Sequence, residues 1–294
     1  MLRKYLQLAR LPNAFTAPTN IIAGYFILTP VTSLNYLDLV MLMISSVLFY
    51  VSGVIFNDYF DIEIDRKERP SRPLPSGAVS RQSALRIALV LMGLAMTFDF
   101  FVSWQSFAVA VFLAGMILAY DYRLKRNKIL NPVTMGGSRF LNVILGASPA
   151  IQLPLETNFW HLILIACFIF AYVAVIALFS SKELSGIKSK RQIALLFSID
   201  YGIIASIGTA IFLGILKPSS FIILASFAVI ISLIFRQTLL GNAVTVQNTI
   251  KNLIISIIVL DCVFVSGTAG FAYGLPTLLF LLPSVILSKK FYVT

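Results

Sequence analysis

The feature that most constrains this chain is a succession of continuous apolar runs, each near 20 residues long. They lie at about 14–33, 37–57, 82–103, 105–121, 133–153, 158–180, 193–215, 219–236, 249–266 and 270–288. Wound as a helix at ~1.5 Å per residue, such a run matches the ~30 Å hydrocarbon core of a bilayer. In lipid every backbone polar group needs an internal partner, so only helices or closed barrels span. A barrel would show alternating strands of ~10 residues, and these runs do not alternate. The expectation is an all-α polytopic membrane protein, a bundle of about nine to ten transmembrane helices. Hydrophobic residues make up 59% of the 294 and charged residues 12%, which excludes a soluble domain with a large core. No Ser/Gly-rich linker or low-complexity run divides residues 1–294, which read as one transmembrane domain.

Charge then orients the bundle. There are 23 Lys and Arg against 12 Asp and Glu, a net charge of +11. The basic residues gather in alternate connections: Arg3 to Arg10, Arg66 to Arg81, Arg123 to Lys128, Lys182 to Arg191, Arg236 with Lys251, and Lys289 with Lys290. The opposite connections carry one clear positive charge, Lys217. By the positive-inside rule the basic loops and both termini are cytoplasmic, in a multi-pass protein of the inner or plasma membrane. The partner of this charge is therefore the lipid bilayer and not nucleic acid. The basic start MLRKYLQLAR precedes a long span without a small-residue cleavage site, so the first helix reads as its own insertion signal. Cys167 and Cys262 sit far apart in apolar runs, and His161 is the single histidine. Neither a disulfide framework nor a histidine-based metal site or triad has support.

Against this background Asn57 to Gly77, NDYFDIEIDRKERPSRPLPSG, stands out. Five of the twelve acidic residues lie between Asp58 and Glu68. If the preceding helix runs on, Asp58, Asp61 and Asp65 fall at i, i+3 and i+7, within an arc of about 60°. Glu63 points away, and Pro70, Pro73 and Pro75 end the helix. Carboxylates so close raise one another's pKa unless a cation sits among them. All-oxygen donors suit Mg²⁺, which completes its shell with water and phosphate oxygens. Arg66, Arg69 and Arg72 supply forked donors for such phosphates. The plainer alternative is a solvated loop whose acids and bases pair among themselves.

Polar residues inside spans usually face the protein interior. Asn13, Thr16, Thr19 and Asn20 in the first span fit an acceptor substrate or a helix contact equally, with Asn13 and Asn20 two turns apart on one face. Arg139 and Asn142 follow Gly136 and Gly137 in the fifth span, and an arginine there needs an anionic partner, either a diphosphate or an intramembrane aspartate. Tyr120 and Lys125 end the fourth span with Asp121, Tyr122, Arg123 and Arg126. Asp99, Asp200 and Asp261 sit singly in or beside apolar runs, by default as structural hydrogen-bond partners.

NDYFDIEIDRKERPSRPLPSG resembles the first aspartate-rich motif of the UbiA superfamily of intramembrane prenyltransferases, NDxxDxxxD followed by RPLPSG. The order of elements agrees along nearly the whole chain, with RLPN at Arg10 to Asn13, the Tyr-plus-basic end of the fourth span, and GIKS at Gly186 to Ser189. The resemblance implies a helical bundle around a lateral cavity in which Mg²⁺ holds a prenyl diphosphate. Asn57, Asp58, Asp61 and Asp65 would serve the metal, and Arg69 and Arg72 the diphosphate. A second aspartate cluster is expected before GIKS, but Leu178 to Ser185 reads LFSSKELS with Glu183 as its only acid. Either Lys182 replaces the charge of one metal and leaves a single Mg²⁺ site, or the protein no longer ionises a diphosphate. The SSKELSG segment, the stretch from Tyr120 to Asn142 and the C-terminal KKFYVT look most similar to the EboC-like branch.

The leading expectation is Mg²⁺-dependent transfer of a prenyl group to an unidentified lipophilic or aromatic acceptor held near Asn13, Asn20 and Asn142. The alternative is a non-catalytic isoprenoid-binding protein or transporter that keeps the fold and the first motif. A CDP-alcohol phosphotransferase ranks below both, because its DGxxAR pattern is absent.

Overall fold

The computed structural model describes residues 2–152, 157–180, 190–240 and 243–289. Its helices are α1 (Leu2–Leu8), α2 (Leu11–Ala14), α3 (Ala17–Leu28), α4 (Tyr36–Phe60), α5 (Ile62–Glu68), α6 (Arg81–Val102) and α7 (Trp104–Tyr122). They continue with α8 (Leu130–Ala147), α9 (Thr157–Ser180), α10 (Lys190–Phe212), α11 (Phe221–Leu240), α12 (Ala243–Thr268), α13 (Phe271–Gly274) and α14 (Leu281–Ser288). The expected all-α polytopic bundle is the one observed. Eight helical segments among the described residues are long and apolar enough to cross a membrane. Large apolar side chains such as Leu89, Phe112, Leu195 and Phe221 are exposed along them, the surface that lipid covers.

The first and fifth expected spans take a different form. The first breaks at Phe15 and Thr16 into α2 and the 12-residue α3, which at ~1.5 Å per residue covers only ~18 Å. The fifth is α8, 18 residues long and carrying Asn131, Arg139 and Asn142. α3 lies in the interior of the bundle, packed against α8: ten consecutive residues of α3, Ala17 to Phe26, are buried. Two apolar clusters meet there. Ile22, Phe26 and Val143 pack with α9 to α12, whereas Ile21, Tyr25 and Leu145 pack with α4, α6 and α7.

Small residues let α3 and α8 touch backbone to backbone. A Cβ on Gly24 would run into the Val143 carbonyl, and one on Gly146 would run into the Ile21 carbonyl. Close approach of this kind is how helices associate where lipid removes the hydrophobic drive. Side chains cap the neighbouring helices. Asn35 accepts from the N–H groups of Leu37 and Asp38 at the start of α4, Ser80 accepts from Ser83 at α6, and Ser103 accepts from Ser106 at α7.

Candidate active site

α4 carries the acidic stretch to one end of the bundle, and there the expectation of an unbroken helix is corrected. The helix stops at Phe60, Asp61 sits at φ −95° and ψ 6°, and α5 resumes at Ile62. The break is only a bend, because Asp61 N–H still donates to Asn57 O at 3.0 Å and Asp65 N–H to Asp61 O at 2.8 Å. At the bend the Asp61 side chain accepts from Lys125 Nζ, beyond α7, at 2.7 Å. As expected, α5 ends before Pro70, and Glu63 turns outward to pair with Arg66.

Each of the three aspartates meets a cation, Asp65 from its own loop and the others from farther away. Arg10 Nη2 donates to Asp58 at 2.6 Å across 48 residues of sequence. Arg72 Nη1 bridges Asp65 at 2.8 Å and Asp58 at 3.4 Å. Asp58 and Asp65 are both buried. The pairing foreseen for a solvated loop therefore occurs in part, through Arg72, but buried, and Arg10 and Lys125 join it from distant segments. Arg10 is held for the purpose in a left-handed conformation, φ 42°, the one non-glycine residue with positive φ among those described. Burial draws its guanidinium pKa down, and Asp58, Tyr50 and Asp65 more than offset this, so its pKa lies above the ordinary value. Arg72 is drawn below the ordinary value by burial and by Arg10, against the pull of Asp58 and Asp65.

A cavity of about 530 Å³ opens beside this cluster. Asp61, Asp65, Arg69, Arg72, Tyr120 and Lys125 line one end, and Phe49, Ile117, Val173 and Ile254 are among its apolar walls. Asn57 also lines it, donating Nδ2 to Asp121 at 3.0 Å. Among the described residues no three carboxylate, histidine or cysteine groups stand close enough to form a ready metal cluster; the acids face cations. The donor set nevertheless fits Mg²⁺, because Asp61 and Asp65 present hard carboxylate oxygens to a space where Arg69, Arg72 and Lys125 supply anion donors. Asp58 is not among the lining residues and stands behind Arg10 and Arg72.

Farther along α8 the cavity reaches Asn13, Arg139 and Asn142. Two corrections follow for the residues expected at an acceptor. Asn20 has no exposed surface and does not reach the cavity; both ends of its amide are bonded, Nδ2 to Asp261 at 2.8 Å and Oδ1 from Arg139 at 2.9 Å. Nor do Asn13 and Asn20 share a helix face, since α2 ends at Ala14. Asn142 lines the cavity but is also committed, accepting from Ser46 Oγ at 2.8 Å and donating to Ala17 O at 2.9 Å. The partner of Arg139 is the intramembrane aspartate of the two possibilities, reached through Asn20. Lys182 and Glu183 lie outside the described residues.

Four residues had not been singled out for the site. Tyr50 lies under Arg139, with the guanidinium 5.8 Å from its ring centroid. In the sequence Arg10 stands within RLPN, Asp121 within a basic helix end, and Asp261 as a lone acid. The fold alone brings them to the cavity or its support, so long-range pairing is the signal that would have found them.

The chain matches the model of the UbiA prenyltransferase family over residues 18–251. It is 36% identical over 152 residues to the digeranylgeranylglyceryl phosphate synthase of Methanococcoides burtonii, covering 48% of this chain and 53% of that protein. To the enzyme of the same name from Methanocaldococcus jannaschii it is 33% identical over 147 residues, 48% of this chain and 50% of that one. The chain thus spans about half the length of the curated relatives it matches. The relatives found do not support the resemblance to the EboC-like branch. Among solved structures, a UbiA homolog from Aeropyrum pernix superposes with a TM-score of 0.66 at 15% identity, covering 94% of this chain and 98% of that one. A homolog from Archaeoglobus fulgidus bound to GPP and Mg²⁺ gives 0.58 at 14% identity, over 93% and 99%. At such identities the likeness is one of fold.

Proposed function

The chain belongs to the UbiA prenyltransferase family, and from that premise we propose that it transfers a prenyl group from a prenyl diphosphate to a lipophilic acceptor within the membrane. The observation that carries the proposal is one cavity with two chemically distinct ends. One end joins Asp61 and Asp65 to Arg69, Arg72 and Lys125, the other holds Arg139, and apolar walls lie between. A prenyl diphosphate has that pattern, an anionic head on an apolar chain.

In this reading Asp61 and Asp65 would hold Mg²⁺, which when bound supplies neutralising charge to the departing diphosphate, while Asp58 anchors Arg10 and Arg72 behind them. Arg69, Arg72 and Lys125 donate to the diphosphate oxygens and stabilise the charge that gathers there as the allylic C–O bond breaks. Asn57 and Tyr120 complete that end. The apolar walls keep water from the allylic carbon, and the aromatic ring of Phe49 lies among them. Asn13 and Arg139 face the acceptor, while Asn142 and Asn20 hold the frame.

For the acceptor we favour a glyceryl phosphate that already carries one prenyl chain. This is supported by the names of the relatives, whose product has two geranylgeranyl groups on glyceryl phosphate, and by a cation at the far end of the cavity. The basic loops and the diphosphate end would lie on the cytoplasmic side.

The test is Mg²⁺-dependent release of diphosphate from labelled prenyl diphosphates by the protein in lipid nanodiscs, with geranylgeranylglyceryl phosphate as acceptor and Asp61→Asn alongside. Release that needs both Mg²⁺ and Asp61 is expected. Tight Mg²⁺-dependent binding without turnover would instead favour the carrier reading, for which the lack of aspartates in LFSSKELS speaks.

A further inference from the structure

Arg139 lies nine residues into α8, ~14 Å along the helix from its start. What holds it there is a hydrogen-bond chain with a direction. Three donor contacts converge on Asp261 of α12, from Thr19 Oγ1 at 2.5 Å and from Asn20 Nδ2 at 2.8 Å to each oxygen. The single Thr19 proton is shared between Asp261 and Thr16 O at 3.0 Å, but Asn20 Nδ2 can only donate, so Asp261 accepts from it. With its nitrogen committed to Asp261, Asn20 must turn its carbonyl oxygen toward Arg139, whose Nη1 donates to it at 2.9 Å. Arg139 also donates to Thr16 O at 3.1 Å and to Thr16 Oγ1 at 2.8 Å. These bonds use three of the five guanidinium donors and leave two for the cavity that Arg139 lines.

Resting on the acceptor reading above, we propose that Asp261 is a positioning residue: it sets the direction of the chain Asp261–Asn20–Arg139 and so presents Arg139 to an anionic group on the acceptor. Asp261 has no exposed surface and never meets substrate itself. Its carboxylate works by what it forbids. A carboxamide in its place would face the Asn20 amide nitrogen with a donor of its own, and relief comes from turning Asn20 around. Asn20 would then aim a donor at the guanidinium, and Arg139 would leave its place.

The experiment uses the full chain in nanodiscs and two probes, geranylgeranylglyceryl phosphate and the same molecule without its phosphate. Wild type is expected to bind the phosphate form more tightly. Asp261→Asn should cut that preference by about 10- to 100-fold, the scale of a misplaced contact, and leave Mg²⁺-dependent binding of geranylgeranyl diphosphate unchanged. The exchanged pair, Asn20→Asp with Asp261→Asn, conserves charge and again gives Arg139 an acceptor, so it should restore the preference. The pair also keeps the test open if Asp261→Asn alone is unstable.

Tighter binding of the phosphate form by Asp261→Asn would overturn the proposal, because it would mean that Asp261 serves only as a counter-charge. Equal loss for both probes and for the diphosphate, or a folded exchanged pair without recovery, would also overturn it. A wild type indifferent to the phosphate would sink the acceptor reading instead. In that case a side-chain-resolution structure of Asp261→Asn decides for the positioning role if Arg139 has moved, and against it if Arg139 has not.

Discussion

The two ends of the cavity solve the problem of charge inside a membrane protein in opposite ways. At the aspartate end, long side chains from loops and helix ends, Arg10, Arg72 and Lys125, reach across 48, 14 and 64 residues of sequence to neutralise acids. At the Arg139 end, short side chains from the interior take over: Thr19 and Asn20 bond Asp261, and Asn20 and Thr16 accept from Arg139. Long flexible partners can be exchanged for a ligand. Short ones fixed to packed helices can turn in place but cannot leave it without the helices. Substitutions at the first end should therefore show themselves in turnover and metal dependence, and those at the second in packing and in the placement of Arg139.

The largest effect is expected at Asp61. Replacing it with Asn keeps the shape and removes the charge that faces both the cavity and Lys125. Turnover should fall by about 10²- to 10³-fold, the cost of losing one preorganised charge partner in a closed site, while thermal unfolding shifts little because Asp121 remains near Lys125. Collapse of the melting temperature with unchanged turnover in the survivors would erase the distinction between the two ends.

Arg72→Ala comes next. It removes the bridge between two buried carboxylates, and an uncompensated buried charge costs about 3–5 kcal/mol. Here the exchangeable character can be read directly. If a divalent cation can take the place of the lost guanidinium, the melting temperature of Arg72→Ala should rise with added Mg²⁺ far more than that of wild type. An equal response in the two proteins would mean that the carboxylates do not serve the metal.

How much of this could be read beforehand follows the same division. The aspartate stretch was legible because its donors are local: Asp58, Asp61 and Asp65 keep their helical spacing even across the bend at Asp61, and Pro70 ends α5 where it must. The spans were legible from their length and apolarity alone, except for the first and fifth: α3 is only 12 residues long and stops before Thr29-Pro30, and α8 carries Asn131, Arg139 and Asn142. The partners were not legible. Nothing in the neighbourhood of Asp261 names Asn20, some 240 residues away, and a single aspartate in an apolar run reads the same whether it orients an arginine or fills a hydrogen bond. Asn142 looked like a substrate contact for the reason that it is polar and inside; only its bonds to Ser46 and Ala17 show where its capacity goes.

Packing predictions follow at the second end. Gly146→Ala places a methyl group against the Ile21 carbonyl, and backbone cannot rotate aside as a side chain does. A loss of about 1–3 kcal/mol is expected, seen as a lower melting temperature with KM for the prenyl diphosphate unchanged.

Ser46→Ala is the smallest and the most discriminating. Ser46 on α4 donates to Asn142 on α8, which in turn donates to Ala17 O on α3, so one hydroxyl closes a link among three helices. Hydrogen bonds between helices in membranes average only about 0.6 kcal/mol, because the alternative state also finds partners. The melting temperature should fall slightly, and turnover should stay within about threefold, since 0.6 kcal/mol is roughly one RT at 298 K. The Asn142 amide keeps its bond to Ala17 and so keeps its orientation. Were turnover to collapse while the melting temperature held, the Asn142 carbonyl freed from Ser46 must have been part of what the acceptor meets. The Arg139 end would then share the exchangeable character of the aspartate end, and the contrast between them would reduce to one of charge.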